Sequence, residues 1–260
     1  MRKLVATPWK LYFLPVIMLI AMLAANAQNS VFVTSGKIEY EKRLNLYEMV
    51  KDADFNDDGF AELAKKTMPK FKLTYYNLSF TPEKSLYQPG KDNPDNDKGL
   101  GWFNDRPAET NIIFSDFESG KSTSQKSLFG ESFLIQDTTR RIKWKITDET
   151  RVIAGFNCRR ANAIIMDSIY VVAFYTDEIV APGGPESFTG LPGMILGVAL
   201  PHQHVTWFAT KVDVTEVKPA QFAIPTKGKK ISNADLVKTL NERLKDWGKS
   251  GRRYIQEMML

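Results

Sequence analysis

His202 and His204 stand in the segment PHQHVTW and are the two histidines of a 260-residue chain. In an extended strand, residues two apart point to the same face, so this spacing can offer two imidazoles to one copper or zinc ion. Cys158 or a nearby carboxylate would supply the third ligand. The plainer alternative is that both rings are polar groups at the rim of a strand. Cys158 is the single cysteine, so it has no intrachain disulfide partner, and burial in the core is expected of it.

Asp54, Asn56 and Asp58, followed by Gly59, occupy the first, third, fifth and sixth positions of a calcium-loop pattern. That pattern needs a bidentate carboxylate at its twelfth position, where this chain has Lys65, so a solvated loop between helices is expected. No Gly-x-Ser-x-Gly elbow, phosphate loop or His-Glu-x-x-His helix occurs. The chain is therefore not expected to be an enzyme, and copper or zinc is the one cofactor considered.

These residues need elements to position them. SGKIEYEKR alternates apolar and charged residues as a half-buried strand does. Two short helices follow, one through Leu44, Tyr47 and Met49 and one through Phe60, Leu63 and Ala64, ending at Pro69. Next come FKLTYYNLSFT, TNIIFSDFES, KSLFGESFLIQD, RIKWKIT, FNCRRANAII, SIYVVAFYT, GMILGVAL and HVTWFATKVDV, rich in aromatic and β-branched residues and parted by turn formers. Gln88 to Gly101 has the composition of a mobile loop. Closely spaced strands without intervening helices predict a mainly β, α+β fold: a curved antiparallel sheet or half-barrel, with a short helical insert near the N-terminus and a C-terminal helix. That last helix starts at a capping box, Ser232 to Asp235, carries Leu236, Leu240, Leu244 and Trp247 on one face, and closes at Gly248.

Arg2, Lys3 and Lys10 precede an apolar run that ends in Ala25-Asn26-Ala27. This is the pattern of an export signal cleaved before Gln28. The expected division is a signal peptide over residues 1–27, an antiparallel β domain over 28–226, and a basic helix and tail over 227–260. After cleavage no transmembrane span is expected, and the chain would be periplasmic, outer-membrane-associated or secreted. From Lys227 onward nine basic residues face four acidic ones. Such a tail is a solvated helix face with a frayed end, or it touches an anionic membrane surface. Nucleic acid is not expected as a partner, because basic and aromatic residues are not interleaved.

GGPESFTGLPGMILG concentrates Gly and Pro immediately before an apolar strand. Pro182 and Pro185 restrict φ, the glycines permit turns, and Leu191 would plug the turn into the core. Gly190, Leu191, Pro192 and Gly193 then form a structural turn that reverses the chain after VVAFYT.

FTGLPGMILG closely resembles the signature of the GLPGLI family of exported bacterial proteins. GKIEYEKRLN, WKITDETRVIAGFNCRRANA, AFYTDEI and TWFATKV resemble that family's pattern in the same order. Departures are Met194, where leucine is usual, and Phe174, where tryptophan is frequent. The resemblance implies a β-rich cell-envelope protein of unknown function, similar in outline to the bowl-shaped module of some exported glycan-cleaving enzymes and to half-barrel lipoprotein carriers. A non-catalytic binding or accessory module for an envelope protein or apolar ligand is expected. The alternatives are a copper- or zinc-binding protein acting through His202 and His204, and a lipid-carrier-like half-barrel.

Overall fold

The computed structural model describes residues 32–52, 58–94 and 106–260. The expected signal peptide, positions Asp54 and Asn56 of the calcium-like pattern and the later part of the 88–101 loop lie outside the described residues. Val33–Leu260 is one compact unit.

Strand β1 (Gly36–Asn45) buries Ile38, Tyr40 and Leu44 and exposes Lys37 and Arg43, as its alternation requires. Helices α1 (Leu46–Asp52) and α2 (Asp58–Thr67) follow. The chain then runs as a meander through β2 (Phe71–Phe80), β3 (Lys84–Pro89), β4 (Ile112–Asp116), β5 (Lys121–Leu128) and β6 (Glu131–Thr138). A second series comprises β7 (Lys145–Ile153), β8 (Phe156–Ile165), β9 (Ile169–Thr176), β10 (Met194–Leu200) and β11 (Val205–Val214). Short β12 (Lys229–Ile231) leads into α3 (Asn233–Arg243) and α4 (Gly248–Met258).

The twelve described strands form one sheet in the order β12-β6-β5-β4-β3-β2-β1-β11-β10-β9-β8-β7. The fold is therefore mainly β and antiparallel, with β1 and β11 joining the two series. Only β12 runs parallel to its neighbour, β6. Helix α3 begins as the capping pattern requires, with the Asp235 amide donating to Ser232 Oγ at 3.0 Å.

Several local readings change. Leu44, expected in the first helix, lies in β1, and Gln88 and Pro89, expected to open the loop, end β3. KSLFGESFLIQD holds two strands, because Phe129 and Gly130, at φ 48° and 79°, make a two-residue turn between β5 and β6. The tether before α3 contributes β12. Gly248 does not end the chain's helical structure: after a short 3₁₀ turn over Lys245–Trp247, α4 begins there. The C-terminal stretch is therefore a helical pair with a docked end. Leu236, Leu240 and Met258 pack with Leu128, Phe133 and Ile135 of β5 and β6.

Strand register defines one inner face. Tyr40 lies beside Tyr76 and Ala209, Lys42 beside Trp207, Tyr87 beside Ile113, and Lys126 beside Phe133. Side chains at paired positions share a face. The Gly-Pro segment, Ala181 to Gly193, and the end of α4 both lie against that face.

Candidate functional site

The Gly-Pro segment is shaped by its own sequence. Phe188 N donates to Pro185 O at 3.1 Å, and Ile195 N donates to Gly183 O at 2.8 Å. Gly193 sits at φ 138°, where a Cβ would fall 2.0 Å from Thr176 O, so only glycine fits between β9 and β10. Leu191 is buried with Phe188 in the core that Trp207 and Tyr175 share, as the expected plug. Trp144 Nε1 donates to Thr189 O at 2.9 Å and braces the outer side of the turn.

The segment carries a buried acid, Glu186, at φ 50°. Its carboxylate accepts from Asn111 Nδ2 at 3.0 Å and faces Tyr87 OH at 3.5 Å. Tyr87 is on β3 and Glu186 lies between β9 and β10, so this contact spans strands separated in the sheet by β2, β1 and β11. The sheet is wrapped around the segment. Burial, reinforced by Glu186, holds the Tyr76 and Tyr87 hydroxyls well above the ordinary range, so both are neutral donors at physiological pH.

The end of α4 is held beside this acid. Lys126 Nζ donates to Met258 O at 2.6 Å. Arg140 Nη2 donates to Met259 O, and Ser187 Oγ donates to Leu260 O. Three consecutive main-chain oxygens thus take side-chain donors from β5, the segment before β7 and the Gly-Pro turn. Leu260 is buried in the cluster containing Phe188, Val205 and Trp207. Burial pushes the Lys126 ammonium down to about 8, opposed by the nearby Glu186 carboxylate.

A second ionic layer ties the inner face to the same helix. Lys72 pairs with Glu109 at 2.7 Å, and Arg106 pairs with Glu257. Burial lowers the Lys72 ammonium and raises the Glu109 carboxyl, each against the pull of its partner. Such groups stay buried only because they are paired. Their arrangement suits fixing a chain segment better than acid–base chemistry, since Lys126 is covered by the carbonyl it serves.

Between α4, α1 and the ends of β5 and β10 lies a cavity of about 1200 Å³. Phe129, Trp247 and Tyr254 form an aromatic cluster on its wall. The rings of Phe129 and Tyr254 stack at 5.7 Å, and Trp247 meets Tyr254 edge-on at 5.9 Å. Phe129 and Trp247 nevertheless remain 55% and 46% exposed. Arg106, Lys249, Arg252 and Arg253 make the cavity basic, against Asp52 and Glu109.

His202 lines this cavity and His204 bonds to Asp52 beside it, but neither is on a strand. Pro201 ends β10 and starts a 3₁₀ turn, Pro201–Gln203, and His204 takes φ 56°. The expectation of two rings on one strand face is thereby corrected: a turn separates their directions. His202 is exposed, whereas His204 Nε2 meets Asp52 Oδ2 at 2.7 Å. Arg253 Nη2 reaches the same Asp52 oxygen at 3.0 Å, forming a latch between α1, the 3₁₀ turn and α4. Among the described residues no group of three or more His, Cys, Asp or Glu side chains is placed to hold a metal. Cys158 is away from both histidines, buried with Phe174 and Leu196 in the other main cluster, and burial pushes its thiol up to about 12.

Sequence reasoning missed Lys126, Glu186 and Phe129. Lys126 stands in the polar strand KSTSQKSL and reads as exposed. The two other residues did leave a signal: an acid inside a Gly-Pro turn, and a bulky residue before glycine between two strands.

A family model described as "Protein of unknown function (Porph_ging)" matches residues 164–197, from the end of β8 through β9 and the Gly-Pro segment into β10. No curated protein matches the sequence. Two crystal forms of PNGF-II are similar in structure, with TM-scores of 0.52 and 0.50 at 14% identity. Each match covers 78% of this chain and 32% of the PNGF-II chain, so the likeness spans about a third of that protein and concerns the fold alone. An uncharacterized conserved protein from Thermus thermophilus matches at a TM-score of 0.38 with 6% identity, over 82% of this chain and 99% of that one, which is too low to argue from. Among the described residues no helix is long and apolar enough to cross a membrane.

Proposed function

We propose that this chain is an exported cell-envelope protein of the GLPGLI type that works as a non-catalytic binding or accessory module. The observation that carries this reading is the basic, aromatic-walled cavity of about 1200 Å³ between α4 and the sheet. Ligand sites are concave and combine aromatic walls with a few polar groups that orient the ligand. Lys126, Arg140 and Ser187 are spent on holding Met258 to Leu260, and Lys72 and Glu109 on each other, which leaves the cavity as the surface open to a ligand. The partial likeness to PNGF-II, a much longer chain, is compatible with an accessory unit.

The lipid-carrier reading needs an empty inner face, and here Leu260 and the Gly-Pro segment fill it. The copper or zinc reading would have to find its third ligand outside the described residues. Native mass spectrometry of residues 28–260, purified gently from the host's envelope fraction, tests the proposal. A reproducible added mass supports a binding module. A clean mass, together with no shift in melting temperature across soluble envelope extracts, would sink it.

A further inference from the structure

Two buried polar atoms at the cavity have no hydrogen-bond partner. Gln203 Oε1 is an acceptor on a side chain nine-tenths buried, and Arg106 Nε is a donor whose guanidinium is otherwise bound to Glu257. Both residues line the cavity, with these two atoms covered beneath its surface, so bonding to an occupant requires the side chains to reorient. Leaving such groups unsatisfied is costly, so an occupant that supplies both a donor and an acceptor is favoured. A hydroxyl does both.

The rest of the lining narrows the class. Thr110 and Gln256 add neutral hydrogen-bonding groups to the lining, while Ser127 and Ser168 already bond to Ser132 and Met166. Phe129 and Trp247 offer exposed aromatic surface for the apolar face of a sugar ring. The two acids of the cavity are already engaged, Asp52 by His204 and Arg253 and Glu109 by Lys72. Among the described residues Arg252 makes no ion pair, so the lining has a cation to spare for an anionic group. Phe129 also occupies a left-handed turn position where glycine or asparagine would be unstrained, so the turn presents this ring at a conformational cost.

We propose that this cavity binds an acidic oligosaccharide, with Arg252 meeting its anionic group, Trp247 and Phe129 flanking its rings, and Gln203 and Arg106 bonding its hydroxyls. The proposal rests on the reading of the chain as a binding module. Its test is retention of residues 28–260 on an immobilised panel of uronate, sialylated, sulfated and phosphorylated oligosaccharides, each beside its neutral counterpart. At least one acidic member is expected to be retained. Its affinity should fall tenfold or more in Arg252→Ala, an exposed position whose unfolding midpoint should match the wild type, and in Trp247→Ala, assayed well below that variant's own unfolding midpoint. Equal retention of neutral counterparts, or retention unchanged in both variants, would overturn the proposal. If no saccharide is held while dodecanoate or phosphatidylglycerol vesicles bind, the saccharide class falls and the binding-module reading survives. If nothing binds and the native mass is clean, both fall.

Discussion

Lys126 on β5 donates to the Met258 carbonyl at 2.6 Å, so a buried lysine clamps the end of the last helix onto the inner face of the sheet. The contact joins residues 132 positions apart and places the ammonium near Glu186. Lys126→Met would leave the carbonyl unsatisfied and Glu186 without this neighbour. A loss of about 2–4 kcal/mol is expected from urea unfolding, and an unchanged midpoint would refute the clamp.

The same lysine sets a pH dependence. Its ammonium titrates at about 8 in the folded chain against 10.5 for the free group. Below about pH 8 the full cost of burying the charge is present. From about 8 to 10.5 the unfolded chain holds more protons, so this contribution becomes less unfavourable as pH rises. Relative to Lys126→Met, the wild type should gain about 2 kcal/mol between pH 7.5 and 9.5. Parallel pH profiles for the two proteins would rule this out.

Gly193 and Gly190 separate clash from conformational strain. At Gly193 an added Cβ would sit 2.0 Å from Thr176 O, whereas at Gly190, φ 92°, the nearest atom is on Trp144 at 3.8 Å. Gly190→Ala should cost about 1–3 kcal/mol through its backbone angle. Gly193→Ala should cost more than about 4 kcal/mol or prevent folding. Unfolding midpoints in the reverse order would contradict the geometry of the turn.

Asp52 binds His204 and Arg253, latching α4 to α1. Burial opposes its ionisation, but the hydrogen bonds from His204 and Arg253 prevail and hold its carboxyl below the usual 3.8. The latch is therefore intact above that value and lost as pH falls through the folded value. Hydrogen exchange should show Arg252 to Met258 less protected in Asp52→Asn at pH 5, with the wild type approaching the variant in stronger acid. Equal protection in both proteins at pH 5 would show that the latch does not hold the helix.

Cys158 is buried, with its thiol pushed up to about 12 by burial and then by Glu178. In the folded protein at pH 8 it should resist a disulfide exchange reagent for hours, and it should react within minutes in concentrated guanidinium. Rapid reaction under native conditions would mean that β8 opens locally.

Much of this was legible before any contact was known. The alternation of Ile38 and Tyr40 with charged neighbours, the two helices after β1, the capping of α3 by Ser232, the core position of Leu191 and the burial of Cys158 follow from spacing and local chemistry. The histidines were misread because Pro201 breaks the extended backbone that the two-residue spacing assumes. Helix α4 was missed because a glycine beyond an amphipathic stretch is the ordinary mark of a helix end. Here Gly248, at φ 54°, turns the chain into a new helix whose end the inner face then covers.

The sequence by itself determined where most of the strands run, which side of β1 is apolar and where glycine is needed to turn, because these depend on φ preferences and on periodicities shorter than a strand. Only the tertiary structure decided that Glu186 meets Asn111 across 75 residues, that Lys126 is buried beneath Met258, and that Phe129, Trp247 and Arg252 wall one cavity. Those meetings depend on the order of strands in the sheet and on its wrapping around the Gly-Pro segment. A polar residue in a strand carries no local mark of whether another part of the chain will cover it.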